Sequence, residues 1–251
     1  MKNLIRHLSR NKQTATMLLI SSLIIGITAL APALFVIIVL NKYLASGVTG
    51  TLISLSIGAI LLLLFEFVFR QNRATMIQEF NETIYVPLLK AFGDKFKTAG
   101  QLTAQEYKKL DGAGTMVKNT ITSSMTGWVL DFPFVLMFLV VLLYISWTAA
   151  IISAIFMLLM YWLTMQKQTL NLRQDSTANL EIFLTGLMTI TIISVGSIQI
   201  IAGTLDIGLL IGSNILAARA LQGSNKFAKA IDFIQQRDRA TNEIISYIKN
   251  K

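Results

Sequence analysis

Ionisable side chains set within apolar sequence are where chemistry could reside in this chain. A charge in a membrane-buried helix is costly and persists where it is paired or used. Glu66 lies in the apolar run 51–69 and precedes Arg70 by four residues, a spacing that puts both side chains on one helix face. That spacing predicts an ion pair at the inner membrane interface, and structural pairing is favoured over a transport role. Asp131 stands near the start of another apolar run, just before Phe132-Pro133. Its carboxylate can satisfy backbone amides that Pro133 frees from the helical ladder. Arg219 lies near the inner end of the last apolar stretch, where it can snorkel to the interface or meet an acid.

Other chemistry is excluded by residue type. The chain has one His, His7, and no Cys, which removes disulfides, thiol catalysis, Cys/His metal sites and a His-based triad. There is no G-x-x-x-x-G-K-[ST] phosphate loop, and Gly112-Ala113-Gly114 reads as a turn or loop break rather than a nucleotide fingerprint. The acids are scattered, with no pair spaced for general acid–base work. The expectation is a chain that is not an enzyme, with no cofactor and no metal.

The elements that must position these residues follow from composition. Of 251 residues, 54% are hydrophobic and only 14% charged, with a mean hydropathy of +0.62. A soluble domain carries about a quarter charged residues. The balance argues against a soluble enzyme, a disordered chain and a nucleic-acid partner, and points to the lipid bilayer. A helical span needs about 20 apolar residues. Runs 17–40 (interrupted by Pro32), 51–69, 127–145, 148–165 and 182–202 qualify, and 207–221 is a shorter, more polar sixth. The expected fold is therefore an all-α membrane protein with six transmembrane helices. A basic arm, 1–16, precedes the membrane domain 17–225, and a basic C-terminal helix, 226–251, follows it. The arm mimics a signal peptide, but run 17–40 is too long and has no clean cleavage motif, so a retained first span is expected. Gly186, Gly196, Gly203, Gly208 and Gly212 suggest close helix packing.

Charge sets the topology. Lys and Arg number 22 against 13 Asp and Glu, a net +9. With the N-terminus inside, only Lys42 of those 22 falls in an outer loop (41–50, 146–147 or 203–206). Five spans would put Lys226, Lys229, Arg237, Arg239, Lys249 and Lys251 outside, so six spans, N-in and C-in, fit the positive-inside rule better. The inner loop 70–126 carries Ile77, Phe80, Ile84, Leu88, Leu89, Phe92 and Phe96 at spacings of three and four, an amphipathic helical pattern. A break at Thr98–Gly100 and a second helical stretch follow. The expectation is a long cytoplasmic helical hairpin with a short cross-helix, in preference to a solvated linker.

Three segments resemble the transmembrane domain of type I secretion ABC exporters, the type-1 exporter fold. Pro32-Ala-Leu-Phe-Val-Ile-Ile-Val-Leu-Asn41-Lys42-Tyr43 is similar to that family's Pro-Leu-Phe-x-x-x-Val-Tyr-Asp-Arg stretch. Leu130-Asp131-Phe132-Pro133-Phe134 resembles its Asp-Leu-Pro-Phe start of span three. Gly203-Thr-Leu-Asp-Ile-Gly208-Leu-Leu-Ile-Gly212-Ser-Asn-Ile-Leu216-Ala-Ala-Arg219-Ala-Leu221 is similar to its Gly-x-Leu-x-x-Gly-x-Leu-Ile-x-x-x-Ile-Leu-x-x-Arg-x-Leu. The resemblance covers roughly Arg10 to Glu243. It departs from the family in three places. Asn41-Lys42 stands for Asp-Arg. Gln222-Gly223-Ser224 follows where the family usually has Pro. Only about Gln166 to Leu180 occupies the place of the family's long second cytoplasmic loop. No Walker or ABC signature is present, and the chain ends where the family's ATPase domain would begin.

The resemblance implies a permease subunit of the bacterial inner membrane. It would pair as a homodimer, or as a heterodimer with another exporter half, and draw power from a separate ABC ATPase. A coupling helix near Leu88 to Lys97, with Leu88, Leu89, Phe92, Asp94 and Phe96, would face that ATPase. The alternative is a non-transporting accessory or scaffold protein that pairs with a full-length exporter. A secondary carrier ranks lowest, because no inverted repeat or pair of broken spans is visible.

Overall fold

The structure is a computed structural model that describes residues 12–44, 49–98, 103–166 and 174–250. The basic arm up to Asn11, with His7, lies outside the described residues, as do 167–173 of the short loop and Lys251. The elements are α1 (Lys12–Thr28), α2 (Ala31–Ile38, continued by a π-helical turn Val39–Tyr43), α3 (Thr49–Thr98), α4 (Ala104–Thr122), α5 (Met125–Ile145), α6 (Trp147–Met165), α7 (Gln174–Ile201) and α8 (Ile207–Asn250). Among the described residues every regular element is helical.

Among the described residues five helical stretches are long and apolar enough to cross a membrane: Thr16–Tyr43, Thr49–Phe96, Met125–Ile145, Trp147–Met165 and Ala178–Ile201. They contain the first four expected spans and all but the last residue of the fifth, 182–202. The last expected span, 207–221, is the start of α8 and is not among them. Its apolar run is short and passes straight into Gln222-Gly223-Ser224-Asn225-Lys226.

Two compact units divide the chain. Among the described residues, one contains α1 up to Leu19, Gln71–Val129 and α8 from Ala230; the other contains Ile20–Arg70 and Leu130–Lys229. In the second unit Pro32 begins α2 after a pause in the ladder at Ala29–Leu30. Helices α5 and α6 are separated only by Ser146, whose hydroxyl caps α6 by accepting from the Ala149 amide. Tyr144 is 93% exposed and Trp147 64% exposed at this hairpin tip, and Trp162 is 53% exposed near the far end of α6. At about 1.5 Å per residue the 19 residues of α6 extend about 28 Å, close to the ~30 Å hydrocarbon core of a bilayer. The core of this unit joins Ala33, Val135, Leu142, Met160, Met188, Leu216 and Leu221.

Close helix approach is confined to some of the glycines. A Cβ on Gly196 would strike Leu210, one on Gly208 would strike Asn41, and one on Gly212 would strike Ile37. Gly203 adopts φ +73°, the left-handed turn between α7 and α8. Among the described residues nothing lies where a Cβ added to Gly186 would meet it, so they show no close packing at that glycine.

The other unit corrects three expectations. No separate cross-helix forms at Leu88–Lys97, because α3 continues through Pro87 to Thr98. The reason is packing. Tyr85, Phe92, Leu110, Val117, Ala240 and Ile244 form one core, with Ile84, Leu88, Leu89 and Phe96 half-buried against it. Phe92 stacks on Phe96 at 5.1 Å and meets Tyr247 edge-on at 6.0 Å. That burial outweighs the single ladder bond Pro87 cannot make. Gly112-Ala113-Gly114 is not a loop break but the middle of α4. Ala113 is buried in the core, and a Cβ on Gly114 would come 3.0 Å from the Phe92 ring, so the glycine makes room for that ring. The segment from 226 is not a separate helix, since α8 runs unbroken from Ile207 to Asn250. Its last turns belong with the hairpin: Lys95 Nζ donates to the Ile248 carbonyl at 2.7 Å, and Lys109 pairs with Glu243 at 3.3 Å. Thr103 and Glu106 begin α4 with a reciprocal capping box.

Candidate functional site

Helix α3 brings Glu66 and Arg70 to one face by their four-residue spacing, and α8 brings Arg219 to the same carboxylate. Arg70 donates from Nε and Nη2 to Glu66 Oε1 at 2.9 and 2.7 Å. Arg219 Nη1 donates to that oxygen at 3.4 Å. The acid that Arg219 meets is thus Glu66. Glu66 is 7% exposed, and its other oxygen, Oε2, is buried without a hydrogen-bond partner among the described residues. One carboxylate therefore balances two guanidiniums through a single oxygen.

A second acid anchors the same unit. Glu181 of α7 accepts from the Asn225 side chain, and from Lys229 Nζ at 3.1 Å. Thr164 Oγ1, near the end of α6, donates to Asn225 Oδ1 at 3.5 Å. Three helices are joined here by polar side chains. Sequence reasoning counted Lys229 as a topology charge and passed over Glu181 and Asn225. The signal available was the four-residue step from Asn225 to Lys229, which shares a helix face; the acid on α7 left no mark in local spacing.

Beside Glu66 lies a cleft of about 90 Å³. Its polar side is Arg70, Asp131, Arg219, Gln222 and Lys226; its apolar side includes Ile25, Phe134 and Phe138. Close helix contact frames it: Gly223 sits against Val135, and a Cβ on Gly26 would come within 2.7 Å of the Phe134 ring. Lys226 is exposed as a residue, yet the helices beside it still strip water from its ammonium. That desolvation, with Arg70 close by, pushes the lysine below its ordinary value, while Asp131 and Glu181 pull it back up. Among the described residues, the carboxylates of Glu66 and Asp131 stand against the cations Arg70, Arg219 and Lys226, leaving one positive charge in excess there.

The remaining sequence-selected residues fall in two places. Pro32 starts α2, Asp131 and Pro133 lie early in α5, Gly203 turns the chain into α8, and Gly208 lies at its first turn. The Gly208 amide donates to Asn41 Oδ1 at 3.1 Å, and a Cβ on Gly212 would lie 3.4 Å from the Ala33 carbonyl oxygen. Leu88, Leu89, Phe92, Asp94 and Phe96 belong to the other unit, where Phe92 is buried and Asp94 exposed.

Chemically, the arrangement can hold helices together and attract an anion. Among the described residues no group of three or more acids or histidines is placed to hold a metal ion. No family model and no curated protein matches the chain.

Proposed function

We propose that this chain is the membrane-embedded permease subunit of an export system built on the type I secretion ABC exporter plan. In this reading six helices span the bacterial inner membrane with both termini inside. Two such domains, identical or not, enclose the export path, and a separate ABC ATPase supplies the energy.

One observation carries the reading: the three segments that resemble the family, far apart in sequence, pack on one another. The Pro32–Asn41 stretch lies along Gly208 and Gly212 through the Asn41–Gly208 bond and the Ile37 contact. Asp131 and Phe134 share a cleft with Arg219. Contact among motif residues far apart in sequence is what this reading expects.

A second reading, an accessory protein that pairs with a full-length exporter without transporting, is favoured by one feature. Only 166–173 separate α6 from α7, too short a stretch for a second coupling loop. Affinity purification of the tagged full chain from its native membrane in mild detergent separates the two. An ABC ATPase chain recovered in equal amount supports the permease. A full-length exporter in its place supports the accessory role, and recovery of neither overturns both.

A further inference from the structure

The cleft beside Glu66 has a ligand chemistry of its own, independent of whether the chain takes part in export. Its depth can be read from α6. Thr164, one residue before the end of that helix at Met165, holds Asn225, the residue next to Lys226. The Lys226 ammonium therefore sits at headgroup level if α6 spans the bilayer. The charges there do not cancel. Glu66 is shared by Arg70 and Arg219 through one oxygen, Lys229 is matched by Glu181, and Asp131 is the remaining carboxylate of the cleft. Among the described residues that line the cleft, cations outnumber carboxylates. Phe134 and Phe138 also line the cleft, Phe134 half-buried and Phe138 seated in the core behind it. A cleft with a cationic head and an aromatic flank, at the depth where lipid phosphates lie, matches an amphiphile of net negative charge.

We propose that Arg70, Arg219 and Lys226 bind the phosphate of an anionic phospholipid, with an acyl chain lying along Phe134. Lys226 does most to distinguish an anionic headgroup from a zwitterionic one, since both arginines already share Glu66. Bound phosphate would also offset the repulsion between the three cations, so the lipid would stabilise the packing of α3, α5 and α8 around the cleft.

The test uses the full chain, delipidated in detergent and examined by native mass spectrometry. The probes are phosphatidylglycerol, phosphatidylcholine and inorganic phosphate. Phosphatidylglycerol should remain bound as a discrete adduct and raise the unfolding temperature read from tryptophan fluorescence, whereas phosphatidylcholine should do neither. Lys226→Gln should lower phosphatidylglycerol affinity about five-fold, the effect of one interfacial basic residue. Lys226→Arg should retain it. Lys118→Gln, an exposed change in the other unit, should leave it unaltered. Equal retention of the two lipids, or an equal loss from Lys118→Gln, would reduce the site to diffuse surface charge and overturn the proposal. Displacement of the lipid by millimolar inorganic phosphate would assign the cleft to a free anion and also overturn it. Unchanged binding by Lys226→Gln, with its lipid-free unfolding temperature that of the parent, would sink it directly.

Discussion

Glu66 is the residue whose removal has the clearest physical consequence. It places one buried oxygen between Arg70 and Arg219. Replacing it with Gln keeps the shape but leaves two guanidiniums without their counter-charge. The Arg70 side chain is 41% exposed, so surrounding water or headgroups screen part of the loss. Glu66→Gln is expected to cost about 1–3 kcal/mol, within the range for leaving charged hydrogen-bond partners unmet. Arg70→Gln should cost less, because Arg219 still satisfies the carboxylate. Tryptophan-monitored unfolding in detergent measures both, and a Glu66→Gln chain as stable as the parent would remove the pair from any structural role. The Glu66–Arg70 pairing was legible in the sequence because it is set by helical period alone. The Arg219 contact was open to two outcomes, since which acid it meets depends on how α8 lies against α3.

At the scale of elements, glycine positions separate contact from mere permissiveness. A Cβ on Gly212 of α8 would strike the Ile37 side chain of α2. Gly212→Val is expected to lose about 1–3 kcal/mol through overpacking. Gly186→Ala, in the open middle of α7, should be neutral or stabilise by up to about 1 kcal/mol. A tolerated Gly212→Val would mean that α2 and α8 do not pack as described. All five glycines looked alike in the sequence; their difference lies in which helix passes opposite. The same limit explains α4. A Gly-Ala-Gly run lowers helix propensity, and only the Phe92 ring seated beside Gly114 shows why the helix keeps it. Pro87 is the converse case, a local breaker overridden by the aromatic core of Phe92, Phe96 and Tyr247.

For the whole molecule, α8 decides the topology. If 207–221 crosses the membrane, Lys42 and Asn250 lie on opposite sides; if it does not, they lie on the same side. Reporter fusions after Lys42 and after Asn250 are expected to show outside and inside respectively, and an outside C-terminus would end the six-span reading. The expectation rests on the basic residues Lys226, Lys229, Arg237, Arg239 and Lys249, which the positive-inside rule keeps in the cytoplasm.

By itself the sequence determined a helical membrane protein, the approximate limits of its five long apolar helices and the Glu66–Arg70 step. Apolar run length and the 3.6-residue period are local properties, additive along the chain, and survive without knowledge of neighbours. Only the tertiary structure decided that α3 stays unbroken past Pro87 and that the end of α8 joins the hairpin core. It alone brought Arg219 to Glu66, and Asn225 with Lys229 to Glu181. Those outcomes depend on which faces meet across long stretches of sequence, and burial at such contacts outweighs the local preference of any single residue.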